Sequence, residues 1–212
     1  MADFNLYCFA QSGNAYKAAL TLKLAAADWE PRWVDFFNGE TRTPEYRTKI
    51  NAMGEVPVLE HRGKLLSQSG VILDYLASTL KKFQGTDEEE QREILRWILW
   101  DNHKLTGYIA TLRFFIQFMK TGETPVTEFL RGRVKSALGI LNLHLKDKKF
   151  SAANRLTIAD LSMCGYLFWP DEFGVSLSDY PAIGAWLERI RAQPGWVHPY
   201  ELMPGHPLPP KK

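Results

Sequence analysis

Asn51-Ala52-Met53-Gly54-Glu55-Val56-Pro57-Val58-Leu59 is the stretch on which the fold turns, together with Ser67-Gln68-Ser69-Gly70 just after it. Pro57 sits in an apolar run that otherwise reads as a strand, and a proline cannot donate to a sheet ladder. A cis peptide bond at the strand's start removes the conflict: the chain turns sharply, and the Val56 backbone N–H and C=O face open space. Gln68-Ser69 precede an amphipathic helical run, Val71, Ile72, Tyr75, Leu76 and Leu80. Ser69 can cap that helix and offer a hydroxyl and free N–H groups to an anion. An open backbone edge beside such a helix start suits a small peptide carrying a carboxylate. An ordinary edge strand followed by a capped helix would use the same residues.

The flanking sequence supplies the elements around it. Residues 4–9 read as a strand, and Ala10-Gln11-Ser12-Gly13-Asn14 breaks the pattern before Tyr16, Ala19, Leu20, Leu24 and Ala27 follow at helical spacing. Residues 29–36 suggest a second strand and Pro44 opens a short helix. Residues 58–60 and 64–66 form two strands that turn at Arg62-Gly63. Strand, helix, strand, helix, strand, strand, helix is the order of a thioredoxin-like domain, placed over residues 1–80. Residues 81–87 are polar, contain Gly85, and read as a linker.

Residues 88–212 read as an all-helical domain. Ile94, Trp97, Ile98, Leu105, Tyr108, Ile109, Leu112, Phe115, Ile116 and Met119 keep one helical period until Gly122 and Pro125 stop it. Val126, Phe129, Leu130, Val134, Ala137, Leu138, Leu141 and Leu145 mark another helix, and Ile183, Trp186, Leu187 and Ile190 a last long one. Between them Thr157-Ile158-Ala159-Asp160 has the spacing of a capping box, a structural and not a catalytic element.

Bulk properties narrow the function. The 212 residues are 45% apolar, enough for a packed core, and the net charge of +2 with no basic block leaves no footprint for nucleic acid. The two cysteines, Cys8 and Cys164, and the five histidines have no metal-ligand spacing, so no metal is expected. With no visible signal peptide and no run of membrane-spanning length, a cytoplasmic protein without membrane association is expected.

The 51–59 stretch with Gln68-Ser69 resembles the N-terminal domain of cytosolic glutathione transferases, and the likeness extends over nearly the whole chain. It implies that Val56, before the cis Pro57, pairs its backbone with the cysteinyl part of glutathione, and that Gln68 and Ser69 hold the γ-glutamyl group. The family usually has Asn-Pro where this chain has Asn51-Ala52. Ser/Thr-x-x-Asp is likewise the family's capping element, here Thr157 to Asp160. The resemblance also implies glutathione as co-substrate, no metal, and a homodimer.

Glutathione reacts as the thiolate, a minority species at neutral pH. Lowering its pKa by about two would take about 2.7 kcal/mol of preferential stabilisation. A hydroxyl donor and a helix N-terminus aimed at the sulfur can supply this together. Ser12 lies between the first strand and the first helix, and the alternative for Ser12 and Asn14 is simple capping. Ser12-Gly13-Asn14-Ala15-Tyr16-Lys17 is similar to the Thr/Ser-x-Asn-x-x-Lys element of bacterial transferases resembling the nu class. That resemblance implies Ser12 as first donor and Asn14 as second. Tyr7 is a rival placed too early in the strand, and Cys8 is misplaced for the cysteine-using classes.

Arg42 and Lys49, beside Thr41, are candidates for the glycyl carboxylate. A second, hydrophobic electrophile is expected between the domains, with Tyr108 and Arg113 as its pocket residues. Three activities remain open: conjugation to that electrophile, glutathione-dependent disulfide or peroxide reduction, and glutathione binding without turnover.

Overall fold

In the first strand, β1 (Phe4–Cys8), Phe4, Leu6 and Cys8 are buried while Asn5 and Tyr7 are partly exposed. That alternation is the period of two of a pleated strand with one face on a core. β1 pairs in parallel with β2 (Trp29–Trp33) and antiparallel with β3 (Val58–His61), which pairs antiparallel with β4 (Lys64–Ser67). The sheet order is β2-β1-β3-β4. β2 is therefore an edge strand, where its Pro31 costs no ladder bond inside the sheet. The second strand stops short of residue 36, because after the Val34 N–H donates to Cys8 C=O (3.0 Å) the chain bends back, Phe36 N–H donating to Val34 C=O (2.9 Å). The β3–β4 turn has Arg62 at φ 51° and Gly63 at φ 73°, the left-handed pair that matches a two-residue hairpin to strand twist.

Three helices accompany the sheet: α1 (Gly13–Leu24), α2 (Pro44–Lys49) and α3 (Ser69–Leu80). Thr43 caps α2 by accepting from Tyr46 N–H (3.2 Å), and Pro44 takes the first helical position, where its missing N–H costs nothing. The whole is the thioredoxin-like arrangement expected over this part of the sequence.

A computed structural model describes residues 2–208. The described residues divide into two units, one formed by residues 2–82 with residues 194–208, the other by Phe83–Gln193. The second unit is helical among the described residues. It contains α4 (Glu88–Trp100), α5 (Thr106–Arg113), α6 (Pro125–Leu145), α7 (Ile158–Met163) and α8 (Pro181–Arg191). The single helical period from Ile94 to Met119 is carried by α4 and α5 with two π-helical segments, Asp101–Leu105 and Phe114–Phe118. In the first of these the fully buried Asp101 accepts from Thr106 Oγ1 (2.7 Å) and Ser162 Oγ (2.5 Å), so the widened turn joins a carboxylate of one helix to α7. No described helix is long and apolar enough to cross a membrane.

The end of the chain departs from the expected division, which assigned residues 88–212 to the helical domain. Residues 194–208 belong with the sheet-containing unit, where they form α9 (Pro199–Leu202), and residues 209–212 lie outside the described residues. The carbonyls of residues 194–208 are what dock: Pro204 accepts from Ala10 N–H (2.7 Å), Gly205 from Gln11 Nε2 (2.7 Å) and Val197 from Tyr16 Oη (2.9 Å). Backbone acceptors leave no apolar period in a sequence, so this contact had no signal to read.

Candidate active site

The 51–57 loop is built from Asn51 outward. The buried Asn51 accepts from Met53 N–H through its Oδ1 (3.1 Å), while its C=O accepts from Gly54 N–H (2.8 Å). Gly54 sits at φ +68°, and a Cβ there would lie 2.8 Å from Thr41 O and 2.9 Å from the Arg47 guanidinium. Both the backbone angle and the close approach require glycine. Asn51 Nδ2 (3.1 Å) and Tyr46 Oη (3.0 Å) both donate to Glu55 C=O. Held at that oxygen, the Glu55–Val56 peptide has a fixed plane. The Val56–Pro57 bond is cis, and β3 begins only at Val58, opposite Ser67. Val56 makes no backbone–backbone bond among the described residues, so its N–H and C=O are available to an extended ligand.

Ser12 and Asn14 lie on the turn from β1 into α1. Ser12 Oγ accepts from Ala15 N–H (3.1 Å) and thereby caps α1. Capping uses a lone pair and leaves the hydroxyl proton to donate, so capping and donation to a sulfur are compatible roles for one side chain. Asn14 Oδ1 lies 3.4 Å from Ser69 Oγ, which brings this loop to the start of α3. Ser69 is buried and opens α3, with Gln68 preceding it at φ 68°, ψ 114°. That conformation is one an L-residue adopts only at a cost of about 1–3 kcal/mol, and such residues cluster at functional sites. Gln68 Nε2 donates to Glu55 Oε2 (2.7 Å). Ser12, Asn14, Val56, Pro57, Gln68 and Ser69 thus fall on turns of one unit, with Asn14 in contact with Ser69 and Gln68 with Glu55.

The other candidates fare differently. Lys49 is exposed and ion-paired with Glu45 (2.8 Å), one turn back on α2, and Arg42 is exposed in the short 3-10 turn Glu40–Arg42. The cation found against the loop is Arg47, over Gly54. Nothing in its spacing distinguished it from the other basic residues of α2. Arg113 is 1% exposed and donates to Glu172 Oε2 from Nε (2.8 Å) and Nη2 (2.6 Å), with its guanidinium 3.9 Å from the Trp169 ring centroid. It is engaged inside the helical unit, so the expected part in an electrophile pocket passes to a structural ion pair. Tyr108 is half-buried on α5.

Tyr7 and Cys8 are poor thiol activators here. Burial pushes the Tyr7 pKa up, and Glu60 adds to the effect, whereas a good donor to a thiolate needs the opposite. Burial raises the Cys8 thiol to about 12. Cys164 is also fully buried, with its Sγ 3.6 Å from Leu161 O. A chromogenic disulfide reagent should therefore label neither cysteine in the native chain and both after unfolding. Rapid native labelling of Cys8 would reopen a cysteine-based chemistry. Among the described residues no three His, Cys, Asp or Glu side chains gather as a metal site would need.

Residues 2–78 match the family model of the glutathione S-transferase N-terminal domain, and residues 105–194 that of the C-terminal domain. A possible glutathione S-transferase from Rhodopseudomonas palustris is 35% identical with a TM-score of 0.87, over 92% of this chain and 89% of that one. A glutathione S-transferase from Pseudomonas fluorescens is 31% identical with a TM-score of 0.86, over 92% and 98%. Glutathione S-transferase D7 of Drosophila melanogaster is 25% identical, over 96% of this chain and 91% of its own.

Proposed function

The chain belongs to the glutathione S-transferase family, and on that premise we propose that its 51–69 region binds glutathione in extended form while Ser12 holds the sulfur as thiolate. The protein is a glutathione transferase, and the chemistry proposed is attack of that thiolate on a hydrophobic electrophile. The observation that carries the reading is the fixed Glu55–Val56 peptide with its cis Pro57, set beside a serine-led helix start that Asn14 links to the Ser12 loop.

Each part of the tripeptide has a counterpart. The cysteinyl backbone pairs with Val56 N–H and C=O. The γ-glutamyl carboxylate meets Ser69 and the N-terminus of α3, where the helix dipole favours negative charge. The glycyl carboxylate lies toward Arg47, in the role first sought in Arg42 and Lys49. The Ser12 hydroxyl donates to the sulfur and Asn14 is the second polar group beside it, the nu-like arrangement. Donors placed before the reaction stabilise the anion without reorganising, and the thiolate is the species that attacks. Tyr108 is the remaining pocket candidate from the helical unit. A cytoplasmic homodimer, as the family resemblance implies, completes the reading.

The test is the thiolate absorbance of bound glutathione followed against pH. A band that persists below neutral pH supports an activated sulfur. Binding without such a band would leave a glutathione-binding protein without this chemistry.

A further inference from the structure

The contact between Glu55 and Gln68 has no counterpart in the reading so far, and from it we propose that Glu55 is a specificity-determining residue that recognises the γ-glutamyl ammonium group of glutathione. The proposal rests on the reading of this site as a glutathione site and adds the residue that supplies its negative charge.

An ionised carboxylate only accepts, so a 2.7 Å contact between Glu55 Oε2 and the Gln68 amide fixes which end of the amide faces it. Nε2 points to Glu55, and the carbonyl Oε1 is left turned away as an acceptor. Two acceptors, a carboxylate and an amide oxygen, therefore stand together at the exposed entrance to α3. Immediately after them come the donors, the Ser69 hydroxyl and the first N–H groups of the helix.

This is the pattern a free α-amino acid end requires. The γ-glutamyl group carries an ammonium and a carboxylate on one carbon, so its receptor needs acceptors and donors side by side. Ser69 and the helix start serve the carboxylate, and a neutral amide at position 68 brings no charge for the ammonium. Glu55 brings it. Its backbone is fixed by the bonds from Tyr46 Oη and Asn51 Nδ2, so the side chain projects from a rigid point next to the Val56 peptide. Gln68 is held in its left-handed backbone conformation at the other end of the contact.

The test compares two ligands by calorimetry: glutathione, and the analogue whose γ-glutamyl group is replaced by glutaryl, which lacks only the ammonium. The native protein should prefer glutathione by about tenfold or more, the scale of one charge-assisted hydrogen bond. Glu55→Gln should bring the two affinities to within about twofold by weakening glutathione alone. The charge-exchanged double variant Glu55→Gln/Gln68→Glu should restore the preference, which a role in loop rigidity would not do. A preference that survives Glu55→Gln, or an equal loss for both ligands, overturns the assignment while leaving the glutathione site in place. A native protein that binds neither ligand overturns the site itself.

Discussion

Replacing Ser12 by alanine is expected to raise the pKa of bound glutathione by about 1–2 and to lower kcat/KM about 10–100-fold near neutral pH, the range of one hydrogen bond to a charged group. The sign follows from the donor's partner. Removing a donor from an anion disfavours the anion, so the thiolate fraction falls most below the native pKa and the deficit closes as pH rises above the new one. The affinity for glutathione should change little, because Val56, Ser69 and Arg47 still hold the peptide. One complication is structural: Ser12 Oγ also caps α1, and losing a cap costs about 1 kcal/mol. Two further variants separate the roles. Ser12→Thr keeps both cap and donor and should stay near native. Ser12→Asp keeps the cap but has no proton to give, so it should recover stability and not the thiolate. A thiolate pKa unmoved in Ser12→Ala and Ser12→Asp would take the sulfur away from Ser12.

What could be read from the sequence, and what could not, divides along one physical line. Local chemistry was legible. Pro57 in a strand-like run, Arg62-Gly63 between two short strands and Thr157 three residues before Asp160 each constrain their own backbone, and each appears as expected. Contacts between distant side chains were not legible. Arg113 looked like a pocket residue because it lies among aromatics on a long helix. Its partner Glu172 is 59 positions away, and nothing near Arg113 announces it. Lys49 looked like a free cation, but Glu45 lies one helical turn before it, a pairing its spacing did show. Gln68 was recognised and Glu55 was not, although a hydrogen bond joins them, because twelve residues and a strand hairpin intervene. The tail from Pro194 was assigned to the wrong unit for a related reason: its anchors are main-chain carbonyls, which every residue has.

The largest stability effect should come from Asp160, far in sequence from any residue of the proposed chemistry. Its carboxylate is fully buried and accepts four hydrogen bonds, shared two to each oxygen. Oδ1 takes Ser151 N–H (2.8 Å) and Trp186 Nε1 (2.9 Å), while Oδ2 takes Thr157 N–H (2.9 Å) and Thr157 Oγ1 (3.0 Å). Burial pushes its pKa up, and the donors from Ser151, Trp186 and Thr157 pull it back. Asp160→Ala would leave those donors facing a cavity that none of them can leave, since Thr157 and Trp186 are fully buried and Ser151 is nearly so. The expected loss is about 3–5 kcal/mol, the scale of breaking a buried charged network from one side. For a chain of this size that lowers Tm by about 10 °C or more. Asp160→Asn has the same volume but one acceptor oxygen, so it can serve one pair of donors while its NH2 group confronts the other. It should recover no more than about half of the loss. Denaturant unfolding of the three proteins decides the matter. An asparagine variant as stable as the native chain would mean that the charge is irrelevant and shape alone holds α7. Equal losses in both variants would mean that neither oxygen pair can be satisfied without the other, because the two pairs act as a single unit.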